Sequence, residues 1–122
     1  MNRLQFYFKA QTAHGLHSPS IYALYCELLN PFLKGQLTYI QLVEELKKRY
    51  IDGSVIEKSS EFDPAQISQN TIILIQKPYK NEAFWNSLKS HPAVIQTVDL
   101  FDLGLVFFKP ICPKQNFYLR KM

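Results

Sequence analysis

A chain of 122 residues, 47% hydrophobic and 20% charged, has apolar surface for one core and too little length for two, so a single folded domain over residues 1–122 is expected and disorder is excluded. The net charge of +4 is spread along the chain with no basic run longer than Lys47-Lys48-Arg49, so nucleic-acid binding is not the expected activity. No apolar run reaches the length of a membrane span and none follows Met1 as a signal peptide would, so a cytoplasmic protein without membrane contact is expected.

Residues 2–12 read as a short helix with Leu4, Tyr7 and Phe8 on one side, interrupted by Gly15. Ser18-Pro19 restarts the helix: the serine hydroxyl is placed to cap free amides, and proline at the first helical position forfeits no hydrogen bond. Ile21, Leu24, Tyr25, Leu28 and Leu29 then recur at helical spacing until Asn30-Pro31, which should stop the helix. Thr38 and Gln41 have capping-box spacing ahead of an apolar stripe of Ile40, Val43, Leu46 and Tyr50, with Glu44 and Lys48 four apart on the wet side. Asp52-Gly53 closes that helix, with Gly53 expected in the left-handed conformation.

Residues 55–58 read as a short strand, and Asp63-Pro64 as the start of a single helical turn. The continuous run Ile72-Ile73-Leu74-Ile75 reads as a strand buried on both faces, as in a parallel sheet under helices. Asn81 should cap a helix running to Lys89 that turns Phe84, Trp85 and Leu88 inward, and His91-Pro92 stops it. Residues 94–100 and 103–109 are separated by too little chain for a crossover and should pair antiparallel, with a last short strand over residues 116–121. The fold class is therefore α/β: a mainly helical part over residues 1–50, then a small sheet over residues 51–122 with a C-terminal antiparallel hairpin.

Few residues invite a chemical role. Cys26 and Cys112 match no metal spacing and read as free thiols, Cys112 in an exposed loop between Pro110 and Pro113. His14 and His17 are three apart and could shuttle a proton or hold a metal, but no third ligand is near in sequence, and a helix entrance with local packing is the preferred reading. Asp99 and Asp102 form a carboxylate pair on paper; flanking a hairpin turn, they are better read as turn residues bonded to local backbone.

Two strings, FYFKAQTAHGLHSP near the N-terminus and WNSLKSHPAVIQTVDLFDLGLVFFK near the C-terminus, resemble a bacterial group of class I S-adenosylmethionine-dependent methyltransferases. Strand, helix, strand and hairpin return is the order of the closing half of that family's sheet, so the resemblance implies the C-terminal half of a Rossmann-like fold. It also implies that His14, Gly15, His17, Ser18 and Pro19 are a retained family motif, and that acidic residues belong where this chain reads Gln76-Lys77. A nucleotide-like cofactor further needs a glycine-rich turn and a following acid, and no two of Gly15, Gly35, Gly53 and Gly104 are close enough to build that turn. The expectation is a truncated relative with no cofactor, metal or catalytic residue, acting as a non-catalytic interaction or scaffold protein. The alternative is a methyltransferase whose site another subunit completes. Deletion of the cofactor half would leave residues 55–58 or 71–76 at a sheet edge, so a homo-oligomer is expected, beside a protein partner the sequence does not name.

Overall fold

Strand β2 (Thr71–Gln76) sits at the centre of the architecture because both of its faces are apolar, and only a sheet covered on both sides buries them. The computed structural model describes residues 1–110 and 113–122, excepting the side chain of His14; Cys112, expected as an exposed thiol, lies outside the described residues. Strand β1 (Ser54–Glu57) pairs parallel with β2, placing Val55 opposite Ile72, while β4 (Leu103–Phe107) pairs antiparallel on the other side. Strand β3 (Gln96–Asp99) forms the expected hairpin with β4, and β5 (Gln115–Tyr118) runs parallel to β3. The order is β1-β2-β4-β3-β5. β2 therefore does not stand at an edge. The first of the two edge alternatives holds, since β1 is outermost on one side.

At the other side β5 is partly closed by Gln11, whose N–H donates to the Tyr118 carbonyl at 2.7 Å while its carbonyl accepts from the Arg120 N–H at 2.9 Å. This pairing explains why the first helix is short. α1 (Arg3–Lys9) opens on a capping box between Asn2 and Gln5 and ends at Lys9, because residues 10–12 are drawn out beside β5. Phe6 is its one buried side chain, and Leu4, Tyr7 and Phe8 face outward.

The second helix does not stop at Asn30-Pro31. α2 (Pro19–Leu24) continues through a π-helical segment (Tyr25–Leu29) into α3 (Asn30–Leu33) as one rod. Proline inside an α-helix removes one bond and crowds the carbonyl four residues back; widening the preceding turn to i→i+5, as in the Asn30 N–H to Tyr25 carbonyl bond, gives the ring room. The rod ends after Leu33, where Gly35 takes φ +77°. Pro19 stands at the first turn as expected, whereas the Ser18 hydroxyl caps no amide and lies 3.4 Å from the Ser20 hydroxyl.

Helix α4 (Tyr39–Arg49) has its expected Thr38–Gln41 capping box, but its buried pair is Leu42 and Leu46. Ile40 is exposed because it stands about 200° round the helix from Leu42. Full burial of a leucine is favourable by about 1.5–3 kcal/mol, so the Leu42–Leu46 pair orients the helix. The ion pair on the wet side is Lys48 with Glu45, not Glu44, and Arg49 pairs with Glu27 of the π-helical segment. Gly53 has no positive φ; it is needed because a Cβ there would lie 1.9 Å from the Asn70 carbonyl oxygen, beside the bond from Ser54 N–H that brings β1 to β2.

Alternation along β2 sorts the core into two layers. Ile72 and Leu74 pack with α2, α4 and the π-helical segment, while Ile73 packs with Trp85, Leu88, Val94 and Val106 under α5 (Glu82–Ser90). Asn81 caps α5 by accepting from the Phe84 N–H at 3.2 Å, and His91 ends it. The Asp63 carboxylate likewise caps the single 3-10 turn Pro64–Gln66. The molecule is thus an α/β sandwich of helices, a mixed five-stranded sheet and a further helix.

Candidate functional site at the carboxyl ends of the strands

β1, β2 and β3 run in one direction and end together at Glu57, Gln76 and Asp99, the rim at which open α/β sheets receive ligands. Two hollows flank Gln76 there. One, of 320 Å³, lies toward α5 between Glu57, Glu61, Lys77, Asn81 and Trp85. The other, of 530 Å³, lies between α1, the end of α3 and the β3–β4 turn, with Phe6, Leu33, Tyr39, Leu103 and Arg120 among its walls.

Each carboxylate at this rim is held by groups of the chain itself. Glu57 Oε1 accepts from the Tyr39 hydroxyl at 2.7 Å and from Gln76 Nε2 at 3.1 Å. Burial raises the Tyr39 phenol well above its ordinary range, and the bond to Glu57 and its charge add to that. Asp99 Oδ1 accepts from the Phe101 N–H at 2.8 Å and its Oδ2 from the Trp85 indole N–H at 3.2 Å. Burial raises the Asp99 carboxyl, opposed by the Phe101 amide, the Lys89 charge and the indole. Asp102 accepts from Arg3 at 2.9 Å and from the Tyr79 hydroxyl at 3.2 Å. The turn reading therefore holds for Asp99, while Asp102 bonds side chains distant in sequence rather than local backbone.

Two bulky residues at this rim adopt left-handed backbone, Lys77 at φ 49° and Phe101 at φ 75°. Such conformations persist only where surroundings over-determine them, and they collect at functional rims. Here the Lys77 N–H donates to the Asp102 carbonyl at 2.9 Å, tying β2 to the hairpin turn. The Phe101 ring stacks on Tyr79 at 4.6 Å between centroids, meets Phe6 at 5.4 Å, and carries the Arg3 guanidinium 4.4 Å from its centre.

The motif of His14, Gly15, His17, Ser18 and Pro19 stands elsewhere. It forms the passage from the Gln11 bridge to α2, through the 3-10 turn Ala13–Gly15, and neither hollow is lined by Gly15, His17, Ser18 or Pro19. His17 is exposed, whereas Ala13 and Leu16 beside it enter the core. Gly15 leaves room for Gln11, whose side chain would lie 3.1 Å from a Cβ there. Among the described residues no three His, Cys, Asp or Glu side chains gather as a metal site. Cys26 is a free, half-buried thiol.

Sequence reading passed over Tyr39, Tyr79, Phe101 and Arg120. Tyr39 carried a weak signal as a polar-tipped aromatic at the start of an amphipathic helix. The other three come together only through the hairpin turn, α1 and the Gln11 bridge. Among the described residues no helix is long and apolar enough to cross a membrane. No family model matches the sequence, and no curated protein and no solved structure matches it.

Proposed function

We propose that this chain is a non-catalytic interaction protein built on a half-sheet of methyltransferase type. One observation carries the reading: none of its four glycines follows the carboxyl end of a parallel strand. Gly53 precedes β1, Gly35 ends α3, Gly15 lies before α2 and Gly104 is inside β4. β1, β2 and β3 are instead followed by Lys58, Lys77-Pro78 and Leu100. A nucleotide-like cofactor needs bare backbone at such a turn, and the carboxylates nearby are already engaged. Strand β2, helix α5 and the β3–β4 hairpin in that order support the ancestry.

The partner on this reading is a second copy of the chain, seated on the outer face of α1. Leu4 and Phe8 stand one turn apart there at 65% and 79% exposure, a self-complementary pair for a two-fold contact. Calorimetry with S-adenosylmethionine tests the first half: no heat of binding is expected, and a micromolar dissociation constant would overturn it. Light scattering tests the second, with a dimer expected for the unmodified chain and a monomer for Phe8→Ser. A monodisperse monomer at about 1 mM, where even weak association shows, rejects the self-association.

A further inference from the structure

We propose that the 530 Å³ hollow between α1, the end of α3 and the β3–β4 turn is a binding site for a small organic monoanion with an apolar, aromatic-sized body, held through Arg120. The volume lies within the range of sites for small molecules, and the walls suit such a body: Phe6, Tyr7, Phe32, Leu33, Leu100 and Leu103. The charge of the remaining wall is unbalanced. Arg3, Arg120 and Lys121 face one carboxylate, Asp102, which Arg3 and Tyr79 already hold.

Of the two cations left over, Arg120 and Lys121, Arg120 is the one that lies against an aromatic side chain of this wall. Among the described residues it makes no ion pair; its guanidinium lies 4.6 Å from the centre of the Tyr7 ring, and its Nε is buried without a hydrogen-bond partner. Nε is enclosed and out of a ligand's reach, whereas the two terminal nitrogens are not among the enclosed atoms, so they are the donors that a carboxylate in the hollow meets, in a charge-assisted pair. The carboxylate of Glu57 does not compete, because it lines the other hollow and is bonded by Tyr39 and Gln76.

The backbone of Arg120 is fixed independently of its side chain. Its N–H donates to the Gln11 carbonyl at 2.9 Å and its carbonyl accepts from the Tyr25 hydroxyl at 2.6 Å. A substitution at this position therefore removes the guanidinium and leaves its mooring.

The test titrates the full chain with phenylbutyrate and with its neutral amide, phenylbutyramide, following backbone amide chemical shifts. Saturable shifts are expected at Leu100, Phe101, Leu103 and Arg120, with the acid binding about 10-fold or more tightly than the amide, as a hydrogen-bonded charge pair implies. R120Q should lower the affinity for the acid about 10-fold and leave that for the amide within about 2-fold, the amide reporting an intact pocket. Equal affinity for acid and amide, shifts confined to other residues, or an acid affinity unaffected by R120Q would each overturn the proposal. Should R120Q fail to fold, the comparison of acid with amide on the unmodified chain decides it.

Discussion

Gly104 and Trp85 share one space: a Cβ built on Gly104 in β4 would lie 2.7 Å from Cη2 and 2.9 Å from Cζ3 of the indole. The missing side chain lets the ring lie against the sheet, where its N–H reaches the carboxylate of Asp99, the residue paired with Gly104 across the hairpin. Gly104→Ala should cost about 1–3 kcal/mol in urea unfolding, the usual penalty of overpacking. In Trp85→Phe the smaller ring leaves room for the methyl group. The double variant should therefore fall short of additivity by at least about 0.5 kcal/mol, and strict additivity would show that the two residues do not contend.

Gly53 meets backbone rather than a flexible side chain, so its substitution has no cheap relief. With a Cβ 1.9 Å from the Asn70 oxygen, Gly53→Ala must push β1 away from β2. A loss of about 3 kcal/mol or more is expected, at the upper end of overpacking effects. Hydrogen exchange should show it first at residues 54–57, and a variant that keeps their protection contradicts this account.

Asp99 links stability to pH. Burial raises its carboxyl above the ordinary 3.8, so the folded chain holds that proton more tightly than the unfolded chain. The resulting stabilisation is fully present below the ordinary value and disappears as pH rises through the raised one. Asp99→Asn cannot titrate. Between about pH 7 and about pH 4 the unmodified chain should therefore gain stability relative to the variant, read as a change in the difference of their melting temperatures. Parallel pH profiles would contradict a raised carboxyl.

Tyr25 is fully buried in the π-helical segment, and its hydroxyl reaches the Arg120 carbonyl at 2.6 Å and Asn30 Oδ1 at 3.4 Å. Tyr25→Phe keeps the ring and leaves that carbonyl without this donor, so about 1–2 kcal/mol of destabilisation is expected from denaturant midpoints. The amide signals of residues 118–122 should shift with it. An unchanged C-terminal segment would show that the hydroxyl does not moor it.

His17 is exposed and enters neither hollow. His17→Ala should change stability by no more than about 0.5 kcal/mol, as surface substitutions do. Stoichiometric zinc in the purified chain that disappears in this variant would instead make the histidine a ligand.

Local rules were enough wherever one short stretch decides its own conformation. The Thr38–Gln41 capping box, the Asn81 cap, the Asp63-Pro64 turn and the antiparallel hairpin could all be read from sequence, because each rests on bonds within a few residues. The buried run in β2 likewise announced a sheet covered on both faces. What misled was local chemistry that a distant partner overrides. Asn30-Pro31 is a stop signal in isolation, yet Asn30 Oδ1 accepts from the Met122 N–H and the π-helical turn accommodates the proline, so the rod runs on. Residues 10–12 extend the helical pattern of α1, yet pairing with residues 118–120 draws them into the sheet. The two hollows at the rim belong to the same class. Arg3, Tyr39, Phe101 and Arg120 stand as much as 117 positions apart, and no periodicity links them. Only the closure of α1 over the hairpin turn brings their side chains to one cavity, because that closure buries Phe6 against Phe101 and Tyr118.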